Sequence, residues 1–336
     1  MPIKIKRKGS DVLQKTYYDF SAFEILKDKN PLLVCDDAFD SFGIKLPFKT
    51  TRFNDFTPNP LYEDIRVGVK VLHNNKCDCI IAIGGGSSID TAKSIKFYNK
   101  IDLPLMAVPT TSGTGSEATH FSVLYKNGKK HSVADRRLLP NYVILQPDVL
   151  KTLPLYQKKC TMLDALCQAI ESWWSKKATA ESIMYSKKAI KLILSNMDGY
   201  LENDGNCNKN MLTASNLAGK AINITTTTAP HAMSYKLTSM YNIPHGHAVA
   251  LCLPKVWRFI ENHDDIAKMF KVKRHEDAII LFENMLQRLE ILPPENINTG
   301  DLDILAKSAN TQRLSNNPVP LKKSTLRALY KEVLNI

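Results

Sequence analysis

The stretch Asp78–Ser88, "DCIIAIGGGSS", constrains the architecture of this chain more than any other. Its apolar run has strand length and no polar alternation, so it reads as a strand covered on both faces. The residues after it, "SIDTAKSIKFYN", take helical spacing, and Gly84, Gly85 and Gly86 stand at the junction. A buried strand passing through glycine into a helix is half of a βαβ unit, and such units build parallel sheets. Neighbouring segments repeat the pattern: "PLLVCDD" (31–37) as a strand ending in acids, "LYEDIRVGVKVLHNNKC" (61–77) as a helix, and "LPLMAVPTT" (103–111) as another buried strand. "THFSVLYKNGKKHSVAD" (119–135) reads as a hairpin, because Asn127-Gly128 favours a turn with two positive φ angles.

Past Pro154 the strand signals stop. "KCTMLDALCQAIESWWS", "SIMYSKKAIKLILSNMDGYLE" and "MLTASNLAGKAINI" all carry apolar residues at helical spacing. A chain of 336 residues exceeds one ordinary core. The expected organisation is an α/β dinucleotide-binding domain over 1–153 and an all-helical metal- and substrate-binding domain over 154–336.

Composition narrows the function classes. A hydrophobic fraction of 44% and a charged fraction of 23% suit a soluble globular protein. No apolar run reaches membrane-helix length, so no membrane partner is expected. The basic N-terminus "MPIKIKRKGSDVLQ" lacks the apolar segment of a secretory signal. The seven cysteines are scattered, with Cys77 and Cys79 forming only a C-x-C pair, which implies reduced thiols and a cytoplasmic location. The formal charge of +12 comes from dispersed lysines without an arginine-rich block or interleaved aromatics, so nucleic acid is not the expected partner. Such a field would instead attract a small anionic substrate.

The glycine junction puts backbone amides at the positive end of a helix, where a diphosphate binds. Glycine there permits unusual dihedrals and close ligand approach; at Gly85 a β-branched residue would resist positive φ. The loop departs from the dinucleotide fingerprint, since Ile89 occupies the place of its third glycine, and no Gly-Lys-Ser/Thr of a P-loop follows. Asp36 ends an earlier strand, either as a loop acid or as a ribose ligand that would repel the extra phosphate of NADP. "VPTTSGTGSE" (108–117) is a second loop at the same carboxyl edge of the sheet.

Histidine is sparse, with 8 in the chain, yet His231, His245 and His247 fall within "APHAMSYKLTSMYNIPHGH". Asp164 and Gln168, four apart, share a helix face. "GGGSSIDTAK" (84–93), "PTTSGTGSE" (109–117), "LDALCQAIES" (163–172), "APHAMSYKLTSMYNIPHGHAVAL" (229–251) and "TQRLSNNPVPL" (311–321) together resemble the iron-containing, or group III, alcohol dehydrogenases. That resemblance implies their architecture, shared with dehydroquinate synthase, over nearly the whole chain. It implies a divalent metal, Fe(II) or Zn(II), held by an aspartate, a histidine four residues later and two histidines fourteen apart. Carried over, these are Asp164, Gln168, His231 and His245, with glutamine in place of the first histidine. His247 is the reserve ligand. A further histidine common four residues after the third ligand is replaced here by Tyr235, which becomes the candidate catalytic hydroxyl.

For the cofactor, NAD(H) in preference to NADP(H), the resemblance adds Asn59, Ser87, Asp90, Thr110, Thr111, Thr114, Ser116 and Lys130 to Asp36, Gly84, Gly85 and Gly86. Glu171, one turn beyond Gln168, is open between supporting a ligand and a structural role. Trp173 and Trp174 read as interhelix packing, and Cys160 and Cys167 as buried thiols. The implied activity is reduction of a small, anionic aldehyde, with "DALCQAIESWWS", "APHAMSYKLT" and "IPHGHAVAL" most similar to the phosphonoacetaldehyde reductase branch. Lys236 or Arg313 would meet the phosphonate, and a homodimer is implied. The alternatives are a general short-chain or butanol-type alcohol dehydrogenase, a lyase resembling 3-dehydroquinate synthase that uses NAD transiently, and an inactive binding protein that has lost its metal.

Overall fold

The structure, a computed structural model, describes residues 14–260 and 263–336. They divide between Leu153 and Pro154 into two compact units.

The first unit is built on a six-stranded parallel sheet. Its strands are β1 (Lys15–Tyr17), β2 (Pro31–Cys35), β3 (Thr51–Phe53), β4 (Cys79–Gly84), β5 (Leu105–Pro109) and β8 (Tyr142–Ile144). Their spatial order is β1-β8-β5-β4-β2-β3. Helix α1 (Tyr62–Asn74) connects β3 to β4, and α2 (Gly86–Asn99) connects β4 to β5. Strand alternation explains the two apolar layers. Leu32, Val34, Ile80, Ala82, Leu105 and Ala107 face one way with Ile65, Leu72 and Ile95. Leu33, Cys35, Ile81, Ile83, Met106 and Val108 face the other way with Phe23 and Leu26. Burying a side chain of this size contributes about 1.5–3 kcal/mol, so a sheet apolar on both faces must be covered on both.

The chain runs from β2 outward to β3, then returns to the opposite side of β2 as β4. This reversal opens a crevice at the carboxyl ends of β2 and β4, where open α/β sheets bind ligands. Cys35 pairs with Ile83, so Asp36 and Gly84 leave the sheet side by side. The hairpin β6 (Phe121–Lys126) and β7 (Lys129–Ala134) is antiparallel. Its turn residues Asn127 and Gly128 have φ of 51° and 67°, as the sequence requires.

The second unit contains no strand among its described residues. Its helices are α3 (Leu155–Trp174), α4 (Ala180–Leu201), α5 (Gly205–Thr225), α6 (Ala229–Tyr241), α7 (His245–Trp257), α8 (Asp264–Ala267), α9 (His275–Arg288), α10 (Asp301–Ser308), α11 (Thr311–Ser315) and α12 (Lys323–Leu334). Helix α3 lies at the centre, packed by α4, α5 and α7, which buries the entire run from Met162 to Trp174. Gly246 permits the closest of these approaches: a Cβ there would lie 2.0 Å from the Cys160 carbonyl oxygen. Asn242, in the left-handed conformation, ends α6, and Pro244 opens α7. The short link folds His245 back beside Ser234 and Tyr235.

Candidate active site

In the first unit, the glycine junction is uncapped by any side chain at the start of α2. The three glycines differ in what they require. Gly84 has φ of +152°, and a Cβ on it would sit 2.2 Å from Ser88 Oγ. Gly85 has φ of −76°, so the expected positive φ at that position is corrected: any residue adopts this backbone. Gly86 would meet Thr114 Cγ2 at 2.7 Å, because the second loop lies against the helix end.

The other proposed cofactor residues gather around this junction. Asp36 Oδ2 accepts from Ser88 Oγ at 3.3 Å, and its Oδ1 accepts from the Ala38 amide at 3.1 Å. The Asn59 amide donates to Ser87 Oγ at 3.3 Å. The Thr110 amide donates to the Gly84 carbonyl at 3.0 Å, and Thr111 packs beside Gly85. Thr114 Oγ1 accepts from the Ser116 amide at 3.2 Å. Asp90 and Ser116 are joined to each other, with Ser116 Oγ donating to Asp90 Oδ1 at 2.5 Å, while Val123 N–H donates to Asp90 Oδ2 at 3.1 Å. Those contacts tie α2 to the second loop and the hairpin. Lys130, on β7, lies opposite Tyr125.

Lys93 was not singled out in the sequence. Its buried ammonium donates to the carbonyls of Ser116, Thr119 (2.7 Å) and Phe121 (2.9 Å), pinning the second loop onto α2. The sequence signal was present: Asp90 and Lys93 are three apart and so share a helix face.

In the second unit, Asp164, His231 and His245 come together. One potential ligand atom from each lies within 4.8 Å of the others. His231 Nε2 is 3.3 Å from Asp164 Oδ1, and His245 Nε2 is 4.0 Å from the same oxygen. Asp164 Oδ1 and His231 Nε2 are buried and have no hydrogen-bond partner. Leaving such atoms unsatisfied costs about 1–3 kcal/mol each. Two of them facing each other beside a third donor fit a bound cation. Gln168 adjoins the cluster, its Nε2 donating to Asp164 Oδ2 at 3.2 Å.

Glu171 settles into the supporting role. It partners Nδ1 of His231 directly, and accepts from the Thr228 amide at 2.7 Å and from Thr228 Oγ1 at 2.9 Å. Burial opposes a charge on His231, but Glu171 and Asp164 overcome it and raise its pKa to about 10. Burial likewise disfavours the Asp164 carboxylate, yet His231 and His245 hold its pKa below the ordinary value. The pocket therefore demands positive charge. Ser234 Oγ lies 3.4 Å from His245 Nδ1, and the Tyr235 ring stacks on His245 at 5.6 Å between centroids. The side chains of Asp164 and His231 are 4% exposed and that of His245 is 35% exposed, so the cluster opens to solvent at His245.

His247 points elsewhere, bonded to Tyr156 Oη and the Leu292 carbonyl, both at 2.8 Å. Trp173 Nε1 donates to Asp265 and Trp174 Nε1 to Thr228, each at 2.9 Å, so both indoles pack between helices. Cys160 and Cys167 are buried free thiols, and burial pushes Cys160 up to about 11. Neither is an activated nucleophile. Lys236 is half-buried on α6 and Arg313 half-buried on α11.

Comparison with known proteins agrees with this geometry. Residues 9–147 match the family model described as iron-containing alcohol dehydrogenase, and residues 159–334 match the Fe-containing alcohol dehydrogenase family, C-terminal. Lactaldehyde reductase of Escherichia coli K12 is 30% identical over 70% of this chain and 68% of its own length. Alcohol dehydrogenase 4 of Schizosaccharomyces pombe is 26% identical over 91% of this chain and 82% of its own. The crystal structure of sulfoacetaldehyde reductase from Bifidobacterium kashiwanohense in complex with NAD+ superposes with a TM-score of 0.88 at 25% identity, covering 98% of this chain and 99% of that one. Fold and relatives define an oxidoreductase acting on alcohols and aldehydes. The chain belongs to the iron-containing alcohol dehydrogenase family, which uses NAD(H) and a metal. With that class established, the lyase and the inactive binding protein drop out as readings. No helix among the described residues is long and apolar enough to cross a membrane.

Proposed function

We propose that this enzyme reduces a small anionic aldehyde to its alcohol with NADH, the preferred pair being phosphonoacetaldehyde and 2-hydroxyethylphosphonate, and that it works as a cytoplasmic homodimer. The observation that carries the reading is the pair of buried, unpartnered atoms Asp164 Oδ1 and His231 Nε2 beside His245. Support for an anionic substrate comes from the formal charge of +12 and from the likeness to a reductase of sulfoacetaldehyde, itself a two-carbon anionic aldehyde.

In this reading Asp164, His231 and His245, with Gln168 beside them, hold Fe(II) or Zn(II). When bound, the metal supplies Lewis acidity to the carbonyl oxygen and NADH supplies hydride to the carbonyl carbon. The rest belongs to the chain. Glu171 holds the Nδ1 side of His231, which leaves Nε2 facing Asp164 as a donor atom. Tyr235 stacks on His245 and places a hydroxyl-bearing ring at the solvent-facing side, where it orients the substrate. Lys236, its neighbour in sequence, supplies positive charge for the phosphonate, with Arg313 as the second cation. In the first unit, Gly84–Gly86 and the start of α2 bind the diphosphate, together with Ser87, Thr110, Thr111, Thr114 and Lys130. Asp36 selects NADH by repelling a 2′-phosphate, and Asn59, Asp90 and Ser116 fix the loops.

The test is a panel of phosphonoacetaldehyde, sulfoacetaldehyde, lactaldehyde and butyraldehyde with NADH and NADPH, with Fe(II) or Zn(II) added to metal-free protein. Preferred turnover of the two anionic aldehydes with NADH is expected. Equal or better turnover of butyraldehyde would instead assign a general short-chain alcohol dehydrogenase.

A further inference from the structure

The family pattern makes the residue at position 168 a metal donor, and the geometry of the Asp164 carboxylate argues for a different role. Its two oxygens are divided between two neighbours. Oδ1 faces the imidazoles, at 3.3 Å from His231 Nε2 and 4.0 Å from His245 Nε2. Oδ2 accepts from Gln168 Nε2 at 3.2 Å. The assignment of nitrogen and oxygen in that amide is fixed by chemistry. An ionised carboxylate only accepts hydrogen bonds, and the histidines keep Asp164 ionised, so the amide nitrogen must be the atom turned toward it. Gln168 is 3% exposed, and its bond to Asp164 is made inside the protein, where rotation of either group would break it. The amide thus braces the carboxylate from the side opposite the cation position.

We propose that Gln168 is a positioning residue for Asp164 rather than a metal donor, so that the protein supplies a two-histidine, one-carboxylate set. This inference rests on the reading above that the cluster holds a divalent metal. Its consequence concerns substrate class. Three protein donors in place of four leave one more position for exogenous oxygen, and donor sets of this kind are known for open positions. A two-carbon aldehyde bearing a phosphonate or sulfonate can fill two positions at once, through the carbonyl oxygen and one acid oxygen, closing a six-membered ring with the metal. An alkyl aldehyde cannot. The replacement of histidine by glutamine is then a device for choosing chelating oxyanions.

The experiment uses Co(II)-loaded full-length protein and its Gln168→Leu and Gln168→His variants, with folding checked by circular dichroism. Phosphonoacetate and sulfoacetate serve as stable two-point probes, with ethylphosphonate and acetate as one-point controls; affinities are read by calorimetry without cofactor. In the unmodified protein, phosphonoacetate should bind at least about tenfold more tightly than either control, and sulfoacetate reports whether the acid group can be a sulfonate. Gln168→Leu, which can neither ligate nor brace, should keep the Co(II) absorption bands while weakening metal binding by about 10-fold to 100-fold, the effect of losing an outer hydrogen bond. Gln168→His should shift those bands, tighten metal binding and abolish the advantage of the two-point probes. Bands that change in Gln168→Leu, or a two-point advantage that survives in Gln168→His, overturn the inference and leave the metal reading intact. Failure of the unmodified protein to bind Co(II) overturns both.

Discussion

Glu171 shows how much a single buried carboxylate can organise. Its two oxygens reach three groups, His231 Nδ1, the Thr228 amide and Thr228 Oγ1, and so join α3 to the start of α6. Glu171→Gln keeps the shape and removes the charge that favours a cation. It should weaken metal binding by about 10-fold to 100-fold, read by Co(II) titration against a competing chelator. Unaltered affinity would mean that Asp164 alone sets the charge of the site. Sequence spacing made Glu171 visible as a neighbour of the ligands, but Thr228, its partner 57 positions on, could not be seen from any periodic pattern. Asp36 is the other residue whose single charge is tested. It stands beside Gly84, bonded to Ser88 and Ala38, where β2 leaves the sheet. Asp36→Gly should raise kcat/KM for NADPH relative to NADH by about tenfold, equivalent to 1.4 kcal/mol of relieved repulsion. If the unmodified enzyme already uses both cofactors equally, Asp36 is a loop cap and nothing more.

Among the elements, long periodic segments were legible and short ones were not. The buried strands β2, β4 and β5 and the hairpin all announced themselves, because apolar runs and Asn-Gly carry their own structural logic. Strands β1, β3 and β8 have 3 residues each, too few for any alternation, and exist because the sheet offers them an edge or a gap. The glycine junction was legible as a turn, but not which glycine bears the strain. Only the folded backbone shows that Gly84 takes φ of +152° while Gly85 stays at −76°. Gly84→Ala should therefore destabilise the protein by roughly 1–3 kcal/mol in a denaturant titration. Gly85→Val should leave the unfolding midpoint nearly unchanged while abolishing NADH binding, followed by cofactor fluorescence. Comparable stability losses for both would show that the junction is governed by packing rather than dihedral strain. Gly246 poses the equivalent problem between helices, since a methyl group there must displace the Cys160 backbone. Gly246→Ala moves α7 off α3, and should cost about 1–3 kcal/mol and carry His245 away from Asp164, with metal affinity falling in step. Retained affinity in a destabilised Gly246→Ala protein would mean that the link through Asn242 positions His245 by itself.

For the whole molecule, the charge that binds the metal is concentrated in one place. Asp164, His231 and His245 all lie in the second unit, so the three donors are assembled without any residue before Pro154. Their set was readable in advance because the fourteen-residue histidine spacing spans one helix and a tight link, a local geometry. The bracing of Asp164 by Gln168 was not, because a hydrogen bond across one helical turn looks the same in sequence as two ligands on one face. Two unsatisfied buried atoms make the metal-free protein less stable than it could be. Any cation that binds only the folded state then stabilises it by mass action, about 2.7 kcal/mol at a hundred times its dissociation constant. For a unit of this size that corresponds to a rise in Tm of roughly 5–10 °C. Treating the purified enzyme with a chelator should lower Tm by that margin and stop NADH-linked aldehyde reduction, and adding back Fe(II) or Zn(II) should restore both at the same metal concentration. Recovery of Tm without turnover would make the metal a structural brace. Turnover that persists after verified metal removal would transfer polarisation of the carbonyl to the Tyr235 hydroxyl or the Lys236 ammonium, and substitution of each would then decide between them.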